Sequence, residues 1–152
     1  GAGVDERFQT YDEAEKLFAA HPLLGIGVGN FGPEVATYPH RMPEGGWLIV
    51  NNEPLEILAE TGILGLTAIS LAVLITFWQG FSIYRNINLI ADEQKRYFLK
   101  AVTGGLLAAL VGIIVQYQTF STLYIIHIWF VFGVLAALDY IVKRNLTKKN
   151  EV

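Results

Sequence analysis

Asn51-Asn52-Glu53-Pro54-Leu55-Glu56-Ile57-Leu58-Ala59-Glu60-Thr61-Gly62-Ile63-Leu64-Gly65 separates two chemically different halves of this chain. Ahead of it the sequence is polar, acidic and rich in turn residues; behind it lie long apolar runs. Glu53, Glu56 and Glu60 recur at three- and four-residue spacing, so a helix over 53–61 sets all three carboxylates on one face. Leu55, Ile57, Leu58 and Ala59 fill much of the remaining circumference. A solvated acidic face is the plain reading of the trio, and a general base drawn from it is the functional one. As metal ligands the three are poor, since no aspartate or histidine accompanies them at ligand spacing.

Downstream, three apolar segments predict three membrane-spanning helices, 62–83, 97–116 and 123–142. A mean hydropathy of +0.40, with 53% hydrophobic and only 16% charged residues, is high for a soluble domain. Orientation follows from the basic residues. Arg85, Lys95, Arg96 and Lys100 flank the link between the first two spans, and Lys143, Arg144, Lys148 and Lys149 form a tail over 143–152. The positive-inside rule makes both regions cytoplasmic and puts residues 1–61 outside, as an odd number of spans requires. Ala101, Gly105, Ala108, Ala109 and Gly112 form a small-residue stripe suited to close helix contact in lipid. Three spans leave that stripe little to pack on, so partner helices upstream or in another chain are expected. Asp139 and Lys143 are spaced for an i,i+4 pair. His127, inside the third run, reads as a helix–helix hydrogen-bonding residue, and Gln116 and Gln118 as residues meeting water.

Upstream, Tyr11, Ala14, Leu17 and Phe18 share one face of an amphipathic helix over 10–21, with Thr10 as N-cap and Pro22 disfavouring helix at His21. Pro22 to Pro33 is dense in glycine. Gly25, Gly27 and Gly29 could bring backbone amides close to an anion, but the Lys-Ser/Thr ending of a phosphate loop is absent, and a structural turn is the better reading. Residues 34–50 read as irregular loop, holding His40-Arg41 and Trp47, the latter as an interfacial anchor. The fold class is therefore an all-α membrane protein: an extracytoplasmic segment with short helices, then three spans. No cysteine is present, which removes disulfides and thiolate metal sites. The chain opens on Gly1, as a processed chain or a piece of a longer one would. Neither a nucleic-acid-binding pattern nor the paired repeats and interrupted helices of a transporter half are visible.

Asn52, nine residues, then Gly62-Ile63-Leu64-Gly65 resembles the signature of the O-antigen ligase family of membrane glycosyltransferases: His, then Asn, Ser or Gln, nine residues, and Gly-x-x-Gly. The wording Leu55 to Gly62 and the upstream run His21 to Phe31 resemble the family as well, in the same order. The resemblance covers the last part of a family member, a loop end plus terminal helices, so missing N-terminal helices are implied. It implies a bacterial cytoplasmic (inner) membrane location and transfer or polymerisation of glycan from a polyprenyl-diphosphate carrier onto an acceptor hydroxyl outside that membrane. No metal or other cofactor is implied; the lipid-linked glycan is the donor, a glycolipid, glycan or protein the acceptor. Without metal, arginines must neutralise the diphosphate, and Arg7 and Arg41 are available. The signature histidine is Asn51 here. An amide cannot take a proton at neutral pH, so Asn51 can orient an acceptor while the base falls to Glu53 or His40, with Asn52 and Glu56 as substrate-binding neighbours. The related polymerases vary more at this position. The alternative is a non-catalytic membrane module that binds carrier lipid or scaffolds a polysaccharide assembly complex.

Overall fold

A computed structural model describes residues 2–36, 46–121 and 126–150, with the backbone alone for 2–6 and 147–150. Five helices follow in order: α1 (Ala2–Ala20), the short α2 (Phe31–Val35), α3 (Glu53–Asn86), α4 (Glu93–Gln116) and α5 (His127–Asn150), with a 3-10 turn at Ile87–Leu89. Among the described residues there is no β-strand. The chain divides into two compact units, Gly1–Ser70 with Val115–Leu123, and Leu71–Ile114 with Tyr124–Val152.

In the first unit α1 presents its apolar face to a core of Ala14, Phe31, Val50 and Ala59, with Tyr11, Leu17, Val35 and Leu55 packed around it. The helix begins at Ala2, so Thr10 lies inside it and is not its N-cap. The Thr10 hydroxyl lies 2.9 Å from the Arg7 carbonyl, one turn back, and 3.2 Å from the Val50 carbonyl. A residue type read as a local helix signal is thus taken up by a long-range contact, which local sequence rules do not register. The helix stops where Pro22 demands it. The His21 amide is shared between the Leu17 and Phe18 carbonyls. Trp47 is half-buried, with the base of its side chain against Gly32.

In the second unit α5 buries Ile128, Val131, Leu135, Leu138 and Val142, an alternating three- and four-residue seam. Leu99, Thr103 and Leu110 are buried on α4, and Ile83 and Ile87 at and beyond the end of α3. The N-terminus of α4 is capped by Asp92, whose Oδ1 accepts the Lys95 amide at 3.0 Å. The Asp139–Lys143 pair is present at 2.6 Å. His127 is the first residue of α5, and Gln116 and Gln118 are exposed at and just past the end of α4.

Two helices among the described residues, α3 with its 3-10 extension and α4, are long and apolar enough to cross a membrane. Only 22% of each apolar window is buried, whereas the core helix of a soluble protein would be mostly covered. Trp78 at 80% exposure and Leu74 at 62% show what kind of surface is left outward. The third expected span differs in character. Residues 122–125, at its start, lie outside the described residues, and α5 carries the cationic segment from Lys143 onward in its last turns.

Candidate functional site around the first limb of α3

The 34 residues of α3 are two helices, because Gly62 has φ 65° and ψ −168°. In an unbroken helix the Ile63 and Leu64 amides would donate to the Ala59 and Glu60 carbonyls. At this break they donate instead to the carbonyls of Pro22 (2.9 Å) and Leu23 (3.4 Å). The vacated Ala59 and Glu60 carbonyls accept from Ile26 (3.1 Å) and Gly27 (2.8 Å). These four polar groups are therefore repaired by the loop around Pro22 to Gly27, as buried backbone requires. The approach is close enough to dictate sequence on both sides. A Cβ on Gly25 (φ 66°) would overlap the Glu60 carbonyl, and one on Gly62 would overlap that of Leu23. The second glycine of the signature, Gly65, leaves room for the Thr61 side chain, whose hydroxyl donates to Ile57 at 2.6 Å.

The acidic stripe is not solvated. Glu53, Glu56 and Glu60 are 2%, 7% and 3% exposed. Glu60 accepts the Gly29 amide on Oε2 at 2.8 Å and the Phe31 amide on Oε1 at 3.0 Å. The anion that the glycine loop cradles is thus the chain's own carboxylate. Glu56 Oε2 accepts the Val50 amide at 2.9 Å, so Val50 is held from both sides, by Glu56 through its N–H and by Thr10 through its carbonyl. These bonds fix the segment leading into Asn51.

Asn51 has φ 57°, a left-handed conformation that few side chains other than Asn, Asp and His adopt readily. Asn52 is the N-cap of α3: its Oδ1 accepts the Leu55 amide at 3.1 Å and its carbonyl the Glu56 amide at 3.0 Å. The Glu53 amide, one of the donors a helix start leaves without an internal partner, is satisfied by the Tyr117 carbonyl at 2.8 Å. Burial, with the charge of Glu53 adding to it, pushes the Tyr117 phenol up to about 12. Tyr117 was not among the residues singled out in the sequence. It follows an apolar run and carries no local signal beyond its aromatic type.

Of the sequence-predicted site residues, Asn51, Asn52, Glu53 and Glu56 come together at the start of α3, and Glu56 already spends one oxygen on Val50. Arg7 lies on the core-facing side of α1, one turn before the Thr10 hydroxyl that grips Val50, and forms no ion pair among the described residues. His40 and Arg41 lie outside the described residues. Next to this arrangement is a cleft of about 450 Å³ lined by Gln9, Thr10, Glu13, Phe31, Val35 and Leu48.

The described residues thus form a polar helical unit locked by its own carboxylates onto the start of a long apolar helix, one of two long and apolar enough to cross a membrane. Residues 1–70 match the family model described as O-Antigen ligase, so this part of the chain is similar to that family. The match ends at Ser70, where the first compact unit leaves α3. No curated protein and no solved structure matches the chain.

Proposed function

We propose that the chain is the C-terminal part of a membrane glycosyltransferase that transfers or polymerises glycan from a polyprenyl-diphosphate carrier onto an acceptor hydroxyl outside the cytoplasmic membrane. The observation that carries this reading is the junction itself. The family signature forms the capped start and the broken end of one short helix, and Thr10 of α1 and Glu56 hold Val50, the residue before Asn51. In this reading α5 is a third span, residues 1–61 are extracytoplasmic, and the tail is cytoplasmic.

The chemistry divides between charge and proton. Arg7 and Arg41 neutralise the departing diphosphate, for which planar guanidinium donors are suited. Glu53 or His40 accepts the proton of the attacking hydroxyl, while Asn51 and Asn52 orient the acceptor. Among these, Glu53 is the candidate base by position: a buried carboxylate at the start of α3, next to Asn52. In the intact protein, Arg41→Ala or Glu53→Gln should abolish surface glycan at unchanged protein level; full activity in both would remove the site assignment.

One observation favours a second reading, a non-catalytic module that binds carrier lipid: Asn51 stands where the family signature has histidine. The left-handed backbone at Asn51 tolerates histidine, so Asn51→His is a clean test. A gain in transfer rate supports the enzyme, and no transfer from either form supports the binding module.

A further inference from the structure

Five cations gather in the second unit where α4 begins and α5 nears its end: Lys95, Arg96, Lys100, Lys143 and Arg144. Most are engaged within the protein. Lys143 holds Asp139 at 2.6 Å, Arg96 reaches Glu93 at 3.7 Å, and Lys100 lies 5.7 Å over the Tyr84 ring. Asp92 is turned to the Lys95 amide as helix cap. Lys95 and Arg144 remain, and among the described residues neither has a carboxylate at ion-pair distance. The Lys95 ammonium donates to Asn145 Oδ1 at 3.0 Å, and Asn145 and Arg144 line, with Tyr140 and Ile141, a cleft of about 210 Å³. Tyr140 and Ile141 are 65% and 41% exposed, so the cleft places apolar surface directly beside two uncompensated cations.

That combination fits an amphiphile with a phosphate head. The cations stand at the end of a membrane-length helix, where headgroups lie, and basic pockets between helices at this level suit anionic lipid. We infer that this cleft binds the headgroup of an anionic phospholipid. The phosphodiester sits between Lys95 and Arg144, and an acyl chain leaves across Ile141 and Tyr140. This inference rests on α4 being a membrane helix and is independent of the transfer reaction.

The test is native mass spectrometry of the full chain in detergent, titrated separately with phosphatidylglycerol, phosphatidylcholine and inorganic phosphate. Phosphatidylglycerol should bind tighter than phosphatidylcholine by about an order of magnitude. Lys95→Gln and Arg144→Gln should each weaken it about five-fold and together about 25-fold. Arg144→Lys should retain most of the affinity, and Lys16→Gln, in the other unit, all of it. Both sites are on the surface, and unchanged helicity by circular dichroism confirms that the variants are folded. Equal affinity for the two lipids, or wild-type lipid binding by the double variant, overturns the inference. So does displacement of the lipid by millimolar inorganic phosphate, which would make the cleft a free-phosphate site.

Discussion

At the scale of single residues, the carboxylates of α3 are internal ligands for backbone. Glu60 satisfies two amides of a loop some thirty residues upstream, and charge-assisted bonds of this kind are the strong ones. Glu60→Gln keeps the volume but leaves one of the two amides facing an NH₂ group. The expected cost is about 1.5–3 kcal/mol, read as a lowered unfolding midpoint of the detergent-solubilised protein. Tyr117 makes a pH prediction. Its phenol ionises at about 12 in the folded protein against an ordinary 10, so folding favours the protonated form. The stability it contributes is fully present below pH 10 and is lost as pH rises from 10 through 12. Tyr117→Phe should remove that part of the alkaline loss, measured as unfolding midpoint against pH. Helical spacing in the sequence was enough to place the three glutamates on one face. Their burial was not legible, because what covers them comes from Val50, Gly29 and Phe31, positions that no helical period connects to α3.

At the scale of elements, α3 works as two helices joined by a repaired break. Gly62→Ala forces a Cβ into the Leu23 carbonyl at a positive φ, and Gly25→Ala does the same against Glu60. Each should cost about 1–3 kcal/mol. The double variant should cost clearly less than the sum, since either change undocks the same loop; a double-mutant cycle of unfolding free energies measures the coupling. Asn52→Ala should cost about 1 kcal/mol through loss of the cap. Much of this element was readable beforehand. The glycine of the signature marked where the polar helix ends, and the change in hydropathy marked where the apolar one starts. The start of α1 was not, since Thr10 looks like a cap locally and is one only if nothing else claims its hydroxyl. The loop was read as a turn that could approach an anion, and the geometry gives both halves of that reading at once, the turn and its anion Glu60.

At the scale of the whole molecule, the outward surface of α4 stands out. Ala101, Gly105, Ala108, Ala109 and Gly112 are all exposed, and nothing lies within 4 Å of where a Cβ on Gly105 or Gly112 would stand. The small-residue stripe seen in the sequence is thus left open among the described residues, as expected for a helix that packs on further helices in lipid. Sidedness follows from the number of spans and is directly measurable. The chain has no cysteine, so single cysteines at Lys16 and Lys143, both exposed, can be labelled without background. With three spans a membrane-impermeant maleimide added to intact cells made permeable only in their outer layer should modify Lys16→Cys and spare Lys143→Cys. Labelling of both would mean an even number of crossings. The third span was the part of the architecture least secured by hydropathy alone, because basic residues enter α5 well before its end.

The exchange of backbone bonds at Gly62 also sets an order of events during synthesis. Pro22 to Gly27 leaves the ribosome well before Ala59 to Leu64, so the donors and acceptors that mend the break already exist when the break is made. A nascent chain deprived of that loop has no reason to keep the break. Its cheapest course is to pair the four freed groups with one another in two internal bonds, Ile63 to Ala59 and Leu64 to Glu60, and continue as one straight helix. The upstream loop thereby acts as a template in time as well as in space, and it determines whether the residues before Gly62 stay at the surface or are drawn in as the head of a longer span.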